Sequence, residues 1–252
     1  MTTAGQDALA PSLQRITLGR LLREQAYDAL RDAIIRLELA PRQPLTERVL
    51  SEQLGVSKSP IRDALIQLER DGLVRSTPFK GFEVAPLDEQ ECRDVFQFRE
   101  ALELYCVAHF TRQWDEAALA AVEAAHREQA RLIQAGQPLE AYTRSRFHGI
   151  LMESVRNSTF AFGSRLIQAH IRRIQRVAVS IPGQIEQTHR EHATILEAIR
   201  ARDAGAAAER MREHIYSVLE QVVGSREFQR LAGPNRPPRE GARQAPPMAS
   251  LQ

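Results

Sequence analysis

Apolar residues recur at intervals of three and four along most of the chain, the spacing that gives an amphipathic helix one apolar face. The first such segment covers residues 18–37 and ends at LAPRQPLT, because two prolines cannot both lie inside a helix. Two shorter helices are predicted over 47–54 and 58–71. Residues 73–84 suit two short strands joined by a turn at PFKG. The pattern therefore predicts a domain at 15–86 made of three helices and a hairpin.

Helical periodicity then continues to residue 224 and predicts an antiparallel bundle over 87–224, so the chain is expected to be mostly α. Asp88 and Asp115 are expected N-caps. The N-terminal residues 1–14 and the Pro-, Gly- and Arg-rich tail 225–252 have little apolar surface to bury, and both are predicted to be disordered. The six predicted helices of the bundle cover 89–111, 115–135, 138–155, 159–180, 184–202 and 205–224.

Composition narrows the class of protein only slightly. The 34 Lys and Arg residues nearly balance the 32 Asp and Glu residues, giving a net charge of +2, so charge alone indicates no nucleic-acid or membrane partner. The 2 cysteines form no CxxC motif, which favours a reducing compartment over a disulfide framework. No stretch approaches the roughly 20 apolar residues needed to cross a bilayer. We expect a soluble, cytoplasmic protein.

The segment TERVLSEQLGVSKSPIRDALIQLERDGLV, residues 46–74, has the pattern of a helix-turn-helix. Apolar residues on both sides of LGVS can form one shared contact, which turns Lys58, Ser59 and Arg62 outward from the start of the second helix. At that position Arg62 could bind guanine O6 and N7, whereas Arg48 suits a phosphate contact. A single exposed basic side chain is usually only solvated, so the combination carries the prediction.

This segment resembles the winged helix-turn-helix signature of the GntR family of bacterial transcription regulators almost throughout residues 45–74. The family usually has glycine where Leu37 and Arg42 stand, so we expect the turn after the first helix to be built differently. The resemblance implies a homodimer that binds double-stranded DNA. The DNA-contacting positions that it implies are Arg48, Ser57, Lys58, Ser59, Arg62, Lys80 and Gly81.

Three histidines share apolar stripes on three different predicted helices of the bundle. His148, His192 and His214 are each expected to point inward, which is how helical bundles build metal sites. His170 is a candidate fourth member. The alternative is that each is an ordinary core or surface histidine whose hydrogen bonds are satisfied.

Three motifs resemble the FCD ligand-sensing domain of FadR-type members of this family. They are F-R-E-A-L-E at 98–103, R-F-H at 146–148 and E-H-A-T-I-L-E-A-I at 191–199. Six helices suggest the VanR-like branch. Relatives hold a divalent metal, such as zinc or nickel, with one Asp and three His, and the histidines correspond to His148, His192 and His214. The expected Asp lies four residues before His148, where this chain has Arg144.

Arg144 changes the predicted chemistry of this cavity. Four residues before His148 is the same helical face, so its guanidinium is expected to point at the histidines and to disfavour a metal by repulsion. A buried guanidinium needs an anion, which is either the carboxylate of a small effector or an internal acid such as Glu103. Arg99 is a second candidate for the same pocket. In the remaining alternative, Arg144 extends to solvent.

The sequence therefore predicts a dimeric DNA-binding regulator, a repressor rather than an enzyme, that binds an inverted-repeat operator. A small carboxylate effector in the bundle would alter DNA affinity by preferring one of two dimer geometries. Two alternatives stay open at this stage. One is a metal-dependent enzyme that uses the three histidines, and the other is a helical ligand-binding or partner-binding protein whose winged helix contacts protein.

Overall fold

The computed structural model describes residues 21–77 and 81–233. Its first part has three helices and a small antiparallel sheet, in strand order β1-β3-β2. The predicted helices and both predicted strands are confirmed, and a two-residue strand, β1, adds a third strand to the sheet. The elements of this N-terminal domain are α1 Leu22–Ile35, β1 Pro44–Leu45, α2 Glu47–Leu54, α3 Lys58–Arg70, β2 Val74–Thr77 and β3 Gly81–Val84.

The helix-turn-helix forms because α2 and α3 bury their apolar stripes in one core. Leu54 on α2 and Ile61 and Leu65 on α3 are fully buried. Gly55 ends α2 in the left-handed conformation with φ 68°, which glycine adopts without the steric cost that other residues incur. The helix α1 packs along α3 and closes this core from the other side.

The turn after α1 keeps a backbone that suits glycine, although this chain has none there. Leu37 has φ 60° and Arg42 has φ 66°, both in the left-handed region. The expectation that the turn is built differently is therefore wrong. The Arg42 N–H donates to the Val84 carbonyl at 2.9 Å, and this bond helps to hold the unfavourable conformation.

The second part is a helical bundle with its own apolar core. The side chains of Asp88 and Asp115 accept hydrogen bonds from the first turns of their helices, as predicted for N-caps. The helix predicted over 138–155 is instead two short helices, so the bundle has seven helices from α4 to α10. The predicted count of six helices is therefore wrong, and the helix count no longer supports the VanR-like branch. These helices are α4 Glu89–Gln113, α5 Glu116–Gln134, α6 Pro138–Thr143, α7 Phe147–Glu153, α8 Ser158–Ala178, α9 Gln184–Arg200 and α10 Ala204–Val223.

A further helix, α11 Arg226–Ala232, follows the bundle. The Ser225 side chain caps its first turn and Phe228 is buried in the bundle core, so the prediction of disorder from residue 225 onward is wrong for this segment. The rest of the predicted disordered tail and residues 1–14 lie outside the described residues. Within the described ranges, no helix is both long enough and apolar enough to span a membrane.

Candidate functional site

The start of α3 presents a polar surface to solvent. Ser57, Lys58, Ser59 and Arg62 are all exposed, because the apolar face of α3 points into the domain core. Ser57 occupies the N-cap position but its hydroxyl makes no capping hydrogen bond. The side chains predicted to contact DNA on α3 are therefore accessible together on one helical turn.

Acidic neighbours hold two of the predicted DNA-contacting arginines only loosely. Arg48 on α2 pairs with Glu52 at 2.9 Å between exposed side chains. The Nε of Arg62 lies 3.9 Å from Glu47, with 68% of the arginine side chain exposed. Exposed ion pairs contribute about 0–1 kcal/mol, so both guanidinium groups can exchange these partners for phosphate or a base.

In the hairpin of β2 and β3, the structure describes one of the two residues that are predicted to contact DNA. Gly81 begins β3 with φ 79°, and a Cβ built there would meet no atom of the described residues within 4 Å. Glycine is therefore required at this turn by backbone conformation and not by lack of space. The prediction for Lys80 lies outside the described residues.

The structure brings the three predicted histidines together inside the bundle. His148 on α7, His192 on α9 and His214 on α10 offer nitrogen atoms that all lie within 4.8 Å of one another. The Nε2 atoms of His148 and His192 are 3.1 Å apart. The ring of Phe147 stacks on His192 with centroids 4.3 Å apart.

The Nδ1 atom of each of these histidines lies within hydrogen-bonding distance of a side-chain oxygen. His148 Nδ1 lies 2.7 Å from Glu103 Oε2, and His214 Nδ1 lies 2.8 Å from Glu191 Oε2. His192 Nδ1 lies 3.1 Å from Gln129 Oε1. Because an oxygen acceptor requires a proton on the facing nitrogen, these contacts favour the Nδ1–H form of each ring. The Nε2 lone pairs then converge on one point.

Burial keeps two members of this cluster neutral. Burial lowers the pKa of His214 to about 4, and the hydrogen bond to Glu191 offsets this only in part. Burial, together with the neighbouring His214 and His148, also brings the pKa of His192 well below its ordinary value. Converging lone pairs on neutral rings leave the centre of the cluster without a positive charge of its own.

A buried ion pair stands beside the histidines. The Nε of Arg99 donates to Glu103 Oε1 at 2.8 Å, and the two residues are only 2% and 5% exposed. Burial alone would raise the pKa of Glu103, but Arg99 and His148 hold it well below its ordinary value. Arg99 Nη2 also lies 3.3 Å from His148 Nε2. Glu103 is therefore an internal acid of this pocket, as predicted, but it pairs with Arg99 and not with Arg144.

These groups form one wall of a cavity of about 400 Å³. Tyr142 and Thr188 add hydroxyl groups to its lining, and α8 supplies Arg165 and Arg172, which are exposed. A cavity of this size suits a small metabolite. Its lining carries three arginines and three imidazoles against two carboxylates, Glu103, which is paired with Arg99, and Glu153, which is paired with Arg146.

Arg144 lies elsewhere, and the prediction that it points into the cavity is wrong. It is exposed, at the end of α6, and it is not among the residues that line the cavity. The chain turns through residues 144–146 before α7 starts, so Arg144 and His148 do not share a helical face. The repulsion predicted from Arg144 is therefore absent from the histidine cluster.

His170 is not a fourth member of the cluster either. Its Nε2 lies 2.9 Å from the backbone oxygen of Asp71 in the N-terminal domain. The residues that sequence reasoning missed are the acceptors Gln129 and Glu191. The only available signal was a polar residue at a position of a helical stripe that otherwise faces the core.

The histidine cluster fits a divalent metal. Imidazole nitrogen is a preferred ligand of zinc and nickel, and a ligand histidine usually donates its second N–H to an acceptor as these three do. The positive charge of Arg99 is balanced by Glu103 at 2.8 Å, so it does not oppose a second cation as an unpaired arginine would. His148, His192 and His214 would hold such an ion through Nε2.

Comparison with known proteins agrees with both parts of the fold. Residues 22–84 match the bacterial regulatory proteins of the gntR family, and residues 94–217 match the FCD domain, so that the two matches cover about three quarters of the chain. An HTH-type transcriptional regulator of Streptomyces ambofaciens is 28% identical over 82% of this chain and 87% of its own length. The HTH-type transcriptional repressor RspR of Escherichia coli is 25% identical over 79% of this chain and 88% of its own.

Solved structures of this kind share the fold. A GntR regulator from Rhodococcus sp. RHA1 has a TM-score of 0.68 at 20% identity and covers 81% of this chain and 98% of its own. Escherichia coli McbR/YncC has a TM-score of 0.64 at 19% identity, covering 81% and 98%. The relatives are transcription regulators and not enzymes, which removes the enzyme alternative. The chain belongs to the GntR family of bacterial transcription regulators, with a winged helix-turn-helix followed by an FCD domain.

Proposed function

We propose that this regulator is a cytoplasmic repressor that binds an inverted-repeat operator as a homodimer and responds to a small anionic effector in the bundle cavity. One observation carries the effector part of the proposal. The cavity combines three converging imidazole nitrogens with the buried guanidinium of Arg99, and it is large enough for a metabolite. Such a lining favours an oxygen anion over a neutral or cationic ligand.

The DNA contact is assigned to the exposed start of α3. Arg62 can bind the O6 and N7 atoms of guanine with two hydrogen bonds, which is the commonest specific contact in a major groove. Ser57 and Ser59 suit a base edge or a phosphate, and Lys58 supplies positive charge. Arg48, Lys80 and Gly81 would contact the DNA backbone on either side of the groove.

The effector is proposed to be a small carboxylate. A divalent metal held by His148, His192 and His214 would supply a Lewis-acidic centre for a carboxylate oxygen. The chain's own groups add to this. Tyr142 and Thr188 can donate hydrogen bonds, and Arg165 and Arg172 at the rim attract anions toward the opening.

The second copy of the chain is proposed to bind an exposed apolar surface on α4 and α8. Phe98 and Tyr105 on α4 are 43% and 52% exposed, and Phe162 and Leu166 on α8 are 55% and 52% exposed. Phe160 links the two helices through its contact with Tyr105, at 5.0 Å between ring centroids. Because GntR regulators are typically dimers, a self-complementary contact at this surface is the simplest way to cover it.

Repression is supported by two relatives whose names state it. RspR and GlaR of Escherichia coli are both named HTH-type transcriptional repressors, and this chain covers 88% and 92% of their lengths. A repressor is released when its effector binds the DNA-free form more tightly than the DNA-bound form.

Operator selection tests the proposal directly. The full-length protein is incubated with a random-sequence duplex pool, and the selected duplex is then titrated in a gel shift, with small carboxylates added one at a time in the presence of zinc. We expect a two-fold symmetric site and at least one carboxylate that weakens binding tenfold or more. A site without symmetry would contradict the dimer, and selected DNA that no anionic compound displaces would contradict the effector class.

Metal content is measured separately. After chelation and reloading, elemental analysis is expected to give one zinc or nickel per chain, which His192→Ala should lose. Arg144→Asp serves as the matched control and should leave the metal content unchanged, because this side chain lies outside the cavity. Metal-free protein after reloading would contradict the assignment of the three histidines.

A further inference from the structure

The helix α8 is shared between the effector cavity and the DNA-binding domain. One face lines the cavity with Gln168, Ile171 and Gln175. The neighbouring face carries Ala169, which packs against the core of the DNA-binding domain, and His170, which is bonded to it. A displacement of this helix at the cavity therefore also changes its contact with the DNA-binding domain.

His170 contacts the end of the recognition helix. Asp71 is the C-cap of α3, and its backbone oxygen lies 2.9 Å from His170 Nε2. Gly72 follows with φ 74°, and a Cβ there would lie 3.2 Å from two atoms of the His170 ring. The imidazole thus sits against bare backbone at the point where α3 ends. Burial lowers the pKa of His170, so the neutral ring donates its Nε2 proton to the carbonyl.

Arg173, one turn further along α8, holds the connection between the two domains. Its guanidinium is 1% exposed and donates to the backbone oxygen of Ala85 at 2.5 Å and to that of Pro86 at 3.2 Å. Its Nε has no hydrogen-bond partner among the residues that the structure describes. Burial lowers the pKa of Arg173 to about 10, so the group still carries its charge at neutral pH. Burying a cation costs free energy unless its hydrogen bonds are made. Because the two carbonyl groups supply these bonds, they fix the position of the guanidinium.

We propose that His170 and Arg173 are positioning residues that fix the direction of the recognition helix, and that α8 couples the cavity to DNA binding through them. The direction of signalling rests on the proposed effector site. The mechanical coupling does not, because α8 contacts both the cavity and the DNA-binding domain whether or not a ligand is bound. By reciprocity, DNA must change the cavity's affinity for any ligand that changes DNA affinity, and by the same factor, so DNA binding should also alter α8.

This reciprocity allows a test without knowledge of the effector. Hydrogen exchange is measured by mass spectrometry on the full-length protein, alone and saturated with a duplex that it has selected from a random pool. We expect operator DNA to slow exchange in α3 and, by at least twofold, in the cavity-lining part of α8. A duplex of unrelated sequence at the same concentration is the control for the DNA.

Variants then assign the effect to His170. In His170→Ala the DNA-dependent change in α8 should fall to less than half while the protection of α3 persists, and His170→Gln, which keeps a donor, should restore it. His126→Ala is the matched control, because His126 also has its Nε2 near a backbone oxygen, that of His189 at 3.2 Å, but lies on α5 away from the DNA-binding domain. A merely structural histidine would lower stability without removing the response of α8.

Two results would overturn the inference. Unchanged exchange of α8 in the wild-type complex, with α3 protected, would show that the domains are not coupled through this helix, whether or not any variant folds. A full response of α8 in both His170→Ala and Arg173→Gln would show that another contact carries the coupling. Neither result depends on the effector, whereas failure to select any DNA would instead count against the proposed function.

Discussion

Glu103 Oε2 lies 2.7 Å from Nδ1 of His148, while the other oxygen of the same carboxylate accepts a hydrogen bond from Arg99. One buried acid thus orients a histidine toward the cavity and balances the positive charge of the neighbouring guanidinium. In the proposed site Arg99 would contribute positive charge for an anion, and Glu103 balances that charge so that a metal could be held beside it.

Replacing this acid should damage both stability and metal binding. Glu103→Gln keeps the size of the side chain but leaves Arg99 without a counter-charge, so the free energy of unfolding should fall by about 3 kcal/mol. Zinc affinity should fall about tenfold, since His148 loses its charged acceptor. Urea unfolding and calorimetric titration measure the two effects. Glu128→Gln, in an exposed pair with Arg131, should leave the free energy of unfolding almost unchanged. Equal losses in the two variants would contradict the role of Glu103.

Stability of the metal-free protein should fall as the pH is lowered from 6.5 to 4. In the unfolded chain His214 takes up a proton near pH 6.5, whereas burial delays protonation in the folded protein to about pH 4. Between these values the unfolded state binds more protons, so the free energy of unfolding decreases with falling pH by up to about 1.4 kcal/mol per pH unit for each such group. Urea titrations at several pH values should give a shallower slope for His214→Asn. An unchanged slope would show that His214 does not contribute.

Arg62→Ala should remove discrimination at one base pair of the operator while the fold persists. The side chain is exposed and makes no core contact, so its removal should cost about 1–3 kcal/mol of discrimination at one base pair. Gel-shift titrations of selected and single-substituted duplexes measure this ratio. Arg70→Ala, at the far end of the same helix, removes an equal charge and should keep the selectivity. Retained discrimination in Arg62→Ala would place the base contact elsewhere.

Phe162→Asp should convert the protein to a monomer. A carboxylate in a self-complementary contact appears twice, once from each copy, and neither charge has a partner. Sedimentation analysis measures the mass. Leu21→Asp alters a side chain that is similarly exposed, 57% against 55%, but lies at the start of α1, and it should remain a dimer. If both variants stay dimeric, the second copy does not bind at α4 and α8.

Arg42→Gly should stabilise the protein by about 0.5–1 kcal/mol. Relief of the left-handed conformation at φ 66° outweighs the extra chain entropy of glycine in the unfolded state. Arg36→Gly is the matched control and should be destabilising, because Arg36 has φ −75° and no strain to relieve. Thermal unfolding of the two variants should therefore shift in opposite directions. A lower Tm for Arg42→Gly would show that its side-chain contacts matter more than its backbone.

The exposed polar start of α3 could be predicted because its position follows from local spacing. Leu54, Ile61 and Leu65 define the buried face of the helix-turn-helix, and the exposed residues follow from it. The inward direction of the three histidines follows in the same way from the stripes of their own helices. Their acceptors could not be predicted, since Gln129 and Glu191 meet them only through the packing of separate helices.

The turn after α1 shows a different limit. The resemblance to the family predicted a different backbone where its usual glycines are missing, yet Leu37 and Arg42 adopt the left-handed conformation nonetheless. Hydrogen bonds and packing around the turn outweigh a local penalty of about 1–2 kcal/mol per residue. Local preference is a weak guide wherever neighbouring elements fix both ends of a short connection.

Because the chain is interrupted between α6 and α7, residues four positions apart there do not lie on the same side of a helix. Across an unbroken helix, an interval of four residues brings two side chains into register, and an acid exchanged for a base would reverse the field inside the protein. Across this turn the same exchange is confined to the water-facing surface. A change of charge at position 144 should therefore leave the electrostatic field at the three histidines almost unchanged.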